Sequence, residues 1–184
     1  MKNILFVIGS TRANSFNRQL ANKVEEMLEK KANVTYLDFK ELPFFNQDTE
    51  FPTPDAVERV RNMVESSDGI WFFCPEYNRS YPGYLKNLID WLSRTKVLND
   101  LSSGTSIKGK KVTICGASGE SAAKYAREKL KDLLDYIEAD VYSNDGTGIA
   151  LSKDEFISDK IALGPGDIVK LKVHMEGFLF YIDS

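Results

Sequence analysis

The chain has 184 residues, 42% of them hydrophobic and 28% charged, with a formal net charge of −3. That length favours one domain over residues 1–184 with room for a substantial core, and the weak charge argues against general affinity for nucleic acid or anionic membrane. The large acidic field of a dedicated electron carrier that docks on basic partners is also missing.

The first apolar run, residues 4–8, is too short for a signal-peptide core or a bilayer span. It is read as the first strand of a cytoplasmic protein with no membrane partner. A polar loop follows, and then Leu20, Ala21, Val24, Met27 and Leu28 fall on one helical stripe. Residues 34–37 predict a second strand, and Val57, Val60 and Val64 a second helix. Residues 70–74 lack polar alternation, as expected of a strand covered on both faces.

A third helix carries Leu85, Leu88, Ile89 and Leu92, with Ser80 and Pro82 opening it. Residues 112–115 predict a fourth strand, Ala126, Leu130, Leu133, Leu134 and Ile137 a fourth helix, and residues 139–142 a fainter fifth strand. Ile168, Leu171, Met175, Phe178, Leu179 and Ile182 predict a final helix despite the cost of Gly177 inside it. Strand alternating with helix implies a doubly wound α/β domain, a parallel sheet with helices on both faces. Cys74 and Cys115 are too few for a disulfide scaffold and are read as buried, reduced thiols.

In such a fold ligands bind beyond the C-terminal ends of the strands, which directs attention to the first loop, Gly9-Ser10-Thr11-Arg12-Ala13-Asn14-Ser15-Phe16-Asn17. A helix opening near Ser15 offers unpaired N–H groups and about half a positive charge. Ser10, Thr11, Ser15 and Asn17 add short polar side chains, and Arg12 adds a fork suited to phosphate oxygens. The competing reading is that Ser15 merely caps the helix while Arg12 lies in solvent. Neither G-x-x-x-x-G-K-[ST] nor G-x-G-x-x-G is present, so the anion that suits this compact loop is a phosphomonoester such as the tail of a mononucleotide.

The stretch CPEYNRSYPGYLKNLIDWLSR, residues 74–94, follows the third strand. There Tyr77 and its backbone neighbours are placed to bracket a flat heterocycle, and Asn78 offers an amide donor and acceptor. Tyr77, Tyr81 and Tyr84 read equally as packing aromatics.

Together the two loops resemble the NAD(P)H-dependent FMN reductase family, whose flavodoxin-like members include quinone, azo-dye and chromate reductases. The matching residues are Gly9-Ser10-Thr11-Arg12, Ser15 and Asn17, then Pro75-Glu76-Tyr77-Asn78, Ser80, Pro82-Gly83, Leu85-Lys86-Asn87 and Asp90-Trp91. Leu42-Pro43-Phe44-Phe45-Asn46 with Asp48, and Lys108-Gly109-Lys110, also look like family segments, so the similarity covers about the first two-thirds of the chain.

The resemblance implies a flavodoxin-like, five-stranded parallel sheet and non-covalent FMN, with NADPH or NADH as co-substrate. It assigns the phosphate to Ser10, Arg12, Ser15 and Asn17 with the intervening backbone of Thr11, Ala13, Asn14 and Phe16. It assigns the ribityl chain and ring to Pro75, Glu76, Tyr77 and Asn78. Ser118 matches a flavin-edge position, but the chain departs from the family pattern straight after it, at Glu120-Ser121-Ala122, and Arg79 stands at a variable position. The implied reaction is ping-pong: hydride passes from NAD(P)H through FMN to a small acceptor such as a quinone, an azo or nitro compound, free flavin or a metal oxyanion. No protein residue is expected to act as a catalytic acid or base, since a flavin accepts hydride without one.

Other chemistries fail on spacing. Cys74-x-x-x-x-Arg79 is one residue short of a cysteine-phosphatase loop, Gly116-Ala117-Ser118-Gly119-Glu120 is not G-x-S-x-G, and His174 has no neighbouring metal ligands in sequence. A flavodoxin-type carrier and a flavin-free binding module remain as alternatives. Finally, Tyr81, Tyr84, Leu88, Trp91 and Leu92 cover more than one face of the third helix. Those surplus aromatics, with the family's habit, predict a homodimer or homotetramer.

Overall fold

Apolar runs without polar alternation need cover on both faces, and here they receive it. The structure, a computed structural model, describes residues 1–142 and 146–184. Strands β1 (Lys2–Ile8), β2 (Ala32–Tyr36), β3 (Gly69–Phe73) and β6 (Lys111–Ser118) pair in parallel in the order β2-β1-β3-β6. Ile4 stands between Val34 and Gly69, and Ile70 stands opposite Val112.

Successive strand residues point to opposite faces. Leu5, Val7, Ile70, Phe72, Val112 and Ile114 therefore pack under α2 (Asp55–Ser66), α3 (Gly83–Leu92) and α4 (Lys124–Tyr136). Ile4, Phe6, Ile8, Trp71, Phe73 and Cys115 pack under α1 (Phe16–Leu28) and α6 (Pro165–Asp183). The result is a mostly parallel α/β sheet with helices on both faces, and both cysteines are buried free thiols.

Among the described residues the main sheet contains six strands where five were expected. The fifth place is shared by two short strands on the same edge of β6. One is β7 (Asp140–Val141), beside Lys111 and Val112, and the other is β8 (Thr147–Ala150), beside Cys115–Ser118. An antiparallel hairpin, β4 (Thr95–Val97) with β5 (Asp100–Thr105), stands between α3 and β6 and was also not foreseen. Its residues do not alternate apolar and polar, so no strand period announces it.

The final helix forms as expected. Gly177 is tolerated because a Cβ there would run into the Tyr142 hydroxyl. Beside it His174 is buried, within hydrogen-bond distance of Thr113 Oγ1 (2.5 Å from Nε2) and Thr147 Oγ1 (2.6 Å from Nδ1), with its ring stacked on Trp71.

The aromatics of α3 are all used within the chain. Trp91 is fully buried, donates from Nε1 to Pro43 O at 2.8 Å and takes the edge of Phe45. Tyr84 stacks on Phe39 at 4.2 Å. Asn87 clamps the same loop, accepting from Phe45 N and donating to Pro43 O. The loop after β2 thus roofs α3 and takes up the apolar surface on which the oligomer expectation rested. Ser80 does not open α3 either: Pro82 is the N-cap residue, and Ser80 pairs with Tyr77.

Candidate functional site

Strand order reverses between β1 and β3, since β1 leads to β2 on one side and β3 lies on the other. The crevice at that reversal, beyond the strand C-termini, is where open α/β sheets bind ligands. A cavity of about 360 Å³ lies there, within the range of small-molecule sites. It is lined by the loops after β1, β3 and β6 and by residues near α5 (Lys153–Ser158).

The first loop leaves β1 at Gly9, whose N–H donates to Phe73 O at 2.9 Å. A Cβ on Gly9 would sit 3.1 Å from Pro75 Cδ and 3.3 Å from Phe73 O, so the small residue lets the first and second loops touch. Ser15 is extended and its Oγ accepts from Arg18 N at 3.0 Å, a side-chain N-cap that fixes the start of α1. Asn17 is buried and gripped by the backbone of β6: Nδ2 donates to Ala117 O and Oδ1 accepts from Ala117 N, both at 3.0 Å. Arg12 is half-exposed at the mouth, its Nη2 2.7 Å from Asp159 Oδ1. Asp159 supports its charge, and the guanidinium, followed by the Asn14 amide, holds the Asp159 carboxyl below the usual carboxylate range.

The second loop is a two-residue turn. Tyr77 and Ser80 exchange both backbone hydrogen bonds, at 2.9 and 3.0 Å, with Asn78 (φ 51°) and Arg79 (φ 59°) in the left-handed region. Two positive φ values define a type I′ hairpin turn, which suits Asn at the first central position and glycine at the second. The turn carries the Tyr77 ring, 52% exposed, to the cavity, where its hydroxyl lies 3.5 Å from Ser10 Oγ. Asn78 itself is exposed on the turn and lies off the cavity lining, and Arg79 stacks on Tyr125 with 4.8 Å from guanidinium carbon to ring centroid.

Glu76 accepts from Ser121 Oγ at 2.8 Å and from Ala126 N at 3.1 Å. Its carboxylate therefore secures the first turn of α4 rather than standing ready as a base. Ser118 completes this junction: its Oγ accepts from Ala123 N at 2.6 Å and lies 2.9 Å from Ser121 Oγ. The chain leaves the divergent segment on a strained path, with Ala122 (φ 49°) and the following Ala123 (φ 58°) both left-handed.

Of the residues expected at the site, Ser10, Arg12, Ser15, Phe16, Asn17, Pro75, Glu76, Tyr77 and Ser118 line this cavity. Thr11, Ala13 and Asn14 are exposed on the rim of the first loop. Ala117 and Gly119, which flank Ser118, also line the cavity, and sequence reasoning missed Leu151, Phe156 and Asp159. Ser152-Lys153-Asp154-Glu155 was readable as a capping box, and one is present at the start of α5. Nothing in the sequence links that helix to the first loop, where Phe156 meets the Phe16 ring edge-on at 5.4 Å.

A family model described as NADPH-dependent FMN reductase matches residues 2–150. A 2-hydroxy-1,4-benzoquinone reductase of a Burkholderia species is 37% identical over 91 residues, half of this chain and half of that protein. The match to quinone reductases of Pseudomonas putida likewise spans about half their length. An NAD(P)H-dependent FMN reductase of Pseudomonas aeruginosa is 31% identical over 137 residues, 73% of this chain and 70% of that one. Among solved structures, FerB, a flavoenzyme NAD(P)H:(acceptor) oxidoreductase of Paracoccus denitrificans, superposes with a TM-score of 0.86 at 28% identity, covering 100% of this chain and 98% of that one.

Proposed function

The chain belongs to the NADPH-dependent FMN reductase family, and from that premise we propose that it is an FMN-dependent NAD(P)H oxidoreductase reducing a small acceptor. The observation that carries this reading is the polarity of one cavity. Its lining combines a capped helix N-terminus, the Arg12 guanidinium and the Ser10 hydroxyl with Pro75 and the exposed Tyr77 ring, whose hydroxyl lies 3.5 Å from Ser10 Oγ. That combination of groups suits a ligand that carries both a phosphate and a flat heterocycle.

Non-covalent FMN bound there would supply hydride acceptance and onward electron release. In this assignment Ser10, Arg12, Ser15 and the backbone of Thr11, Ala13, Asn14 and Phe16 hold the phosphate. Pro75, Glu76, Tyr77 and Ser118 hold the ribityl chain and ring, with Asn78 on the turn beside them. Asn17 acts as a positioning residue, since its amide already binds Ala117. With Glu76 engaged by Ser121 and Ala126, the chain contributes orientation and electrostatics rather than a proton.

NADPH or NADH and the acceptor use the same open side of the cavity in turn, a ping-pong scheme. The names of the Burkholderia and Pseudomonas relatives favour a quinone among possible acceptors. We read residues 1–184 as one domain, working in the cytoplasm, where two unpaired cysteines are ordinary. We also read it as a homodimer or homotetramer. The support is now the β4–β5 hairpin, which exposes Val97, Leu98 and Leu101 together.

Titration of the purified protein with FMN, followed by quenching of flavin fluorescence, tests the reading. Saturable one-to-one binding is expected; no binding would remove it.

A further inference from the structure

The Arg12–Asp159 pair is half-exposed on both sides, with side-chain exposures of 49% and 41%. An ion pair that open adds little to stability, yet it is heavily built. Asp159 Oδ2 accepts from Asn14 Nδ2 at 2.7 Å, and Asp159 O accepts from Asn14 Nδ2 at 3.1 Å and Gln19 Nε2 at 3.0 Å. Phe156, one turn earlier, rests on Phe16. The segment after β8 is thereby fastened across the loop read above as the phosphate site.

On that reading, we propose that Asp159 is a specificity-determining residue: it competes with the ligand's phosphate for Arg12. The carboxylate takes one edge of the guanidinium at 2.7 Å and places a negative charge on the lining of the same cavity. An incoming phosphate, carrying up to two negative charges, meets a loop whose one arginine is already neutralised. The phosphate must share Arg12 with the carboxylate or turn the carboxylate away, and either course weakens its binding. A flavin without a phosphate does not meet that opposition. Asp159 therefore lowers the preference for FMN over riboflavin and eases release of FMN.

The test is equilibrium titration of wild type, Asp159→Asn, Arg12→Ala and the double variant with FMN and with riboflavin, read by flavin fluorescence. Asn suits the left-handed backbone of Asp159 (φ 53°) and keeps its shape while removing its charge, so the fold is retained. Asp159→Ser, equally uncharged, serves as a second variant and should move in the same direction. Asp159→Asn is expected to tighten FMN about tenfold, to leave riboflavin unchanged, and to tighten FMN also when Arg12 is Ala, where the bare carboxylate still faces the phosphate.

Weaker FMN binding would overturn the proposal and make Asp159 a positioning partner of Arg12. Unchanged FMN binding would reduce the pair to a surface contact. Equal tightening of riboflavin would show that the segment, not the phosphate, responds. Wild type that binds neither flavin would instead overturn the functional reading beneath the proposal.

Discussion

Arg12 and Asn17 stand five positions apart in the sequence and differ in kind. Arg12 is half-exposed, paired with Asp159 and set over the Phe16 ring at 5.3 Å, and it belongs to neither buried cluster, so its removal leaves the core untouched. Arg12→Ala is expected to weaken FMN at least about tenfold, the scale of one charge-assisted hydrogen bond, with an unchanged urea midpoint. Asn17→Ala strips partners from a buried N–H and a buried carbonyl of Ala117. It should cost about 2–3 kcal/mol of stability, visible as a lower urea midpoint with FMN absent. Equal effects of both variants on stability would contradict this division of labour.

Buried His174 gives the fold a pH signature. Burial, with a smaller contribution from the nearby charge of Arg127, lowers its pKa from 6.5 to about 4, so the folded ring stays neutral while the unfolded chain takes up a proton first. Its stabilisation is fully present above about pH 6.5 and is lost as pH falls from there toward 4. The loss amounts to at most about 3 kcal/mol. Urea denaturation at a series of pH values should show that slope in wild type and a shallower one in His174→Gln; parallel slopes would contradict it.

Among the elements, the turn between Tyr77 and Ser80 is the clearest local conflict between sequence and backbone. Arg79 occupies the second left-handed position, where glycine is unstrained. Arg79→Gly relieves about 1 kcal/mol of backbone strain while losing the stacking on Tyr125. A rise in thermal midpoint with flavin binding intact is expected, and a fall would mean that the Tyr125 contact outweighs the strain.

The same element shows what a sequence discloses. Pro75, Tyr77 and Asn78 were legible as a loop beyond a buried strand, because strand and helix periods on either side leave no other place for them. The left-handed turn was not, since Arg79 carries no sign of it. The first loop was legible for a similar reason: a buried strand, a polar cluster and a capping serine follow one another directly. The grip of Asn17 on Ala117 was not legible, because Ala117 lies far away in the chain. Asp159 and Phe156 were missed on the same ground. The roof over Trp91 and Tyr84 is also a long-range contact, so α3 read as having a spare apolar face that it lacks. The sheet edge was legible only as one faint strand, because β7 and β8 are too short to display a period.

For the whole molecule, the described residues contain no helix long and apolar enough to cross a membrane. The exposed apolar hairpin then needs another explanation. Leu101 is 89% exposed beside Leu98 and Val97, and we assign this edge to contact between copies of the chain. Light scattering should find a dimer or tetramer at micromolar concentration, and Leu101→Glu should shift it toward monomer. A monomeric wild type would contradict that assignment while leaving the cavity reading intact.

In the function proposed for this chain, the cavity at the reversal of strand order carries electrons from a nicotinamide to a small acceptor. Anaerobic mixing of the FMN-loaded protein with NADPH or NADH, followed in the flavin's visible absorbance, tests it most directly. Bleaching of the bound flavin by at least one nicotinamide is expected, with full recovery of colour when a benzoquinone is added in the absence of oxygen. A flavin that stays oxidised with both nicotinamides, or is reduced and not reoxidised by any small acceptor, would contradict it.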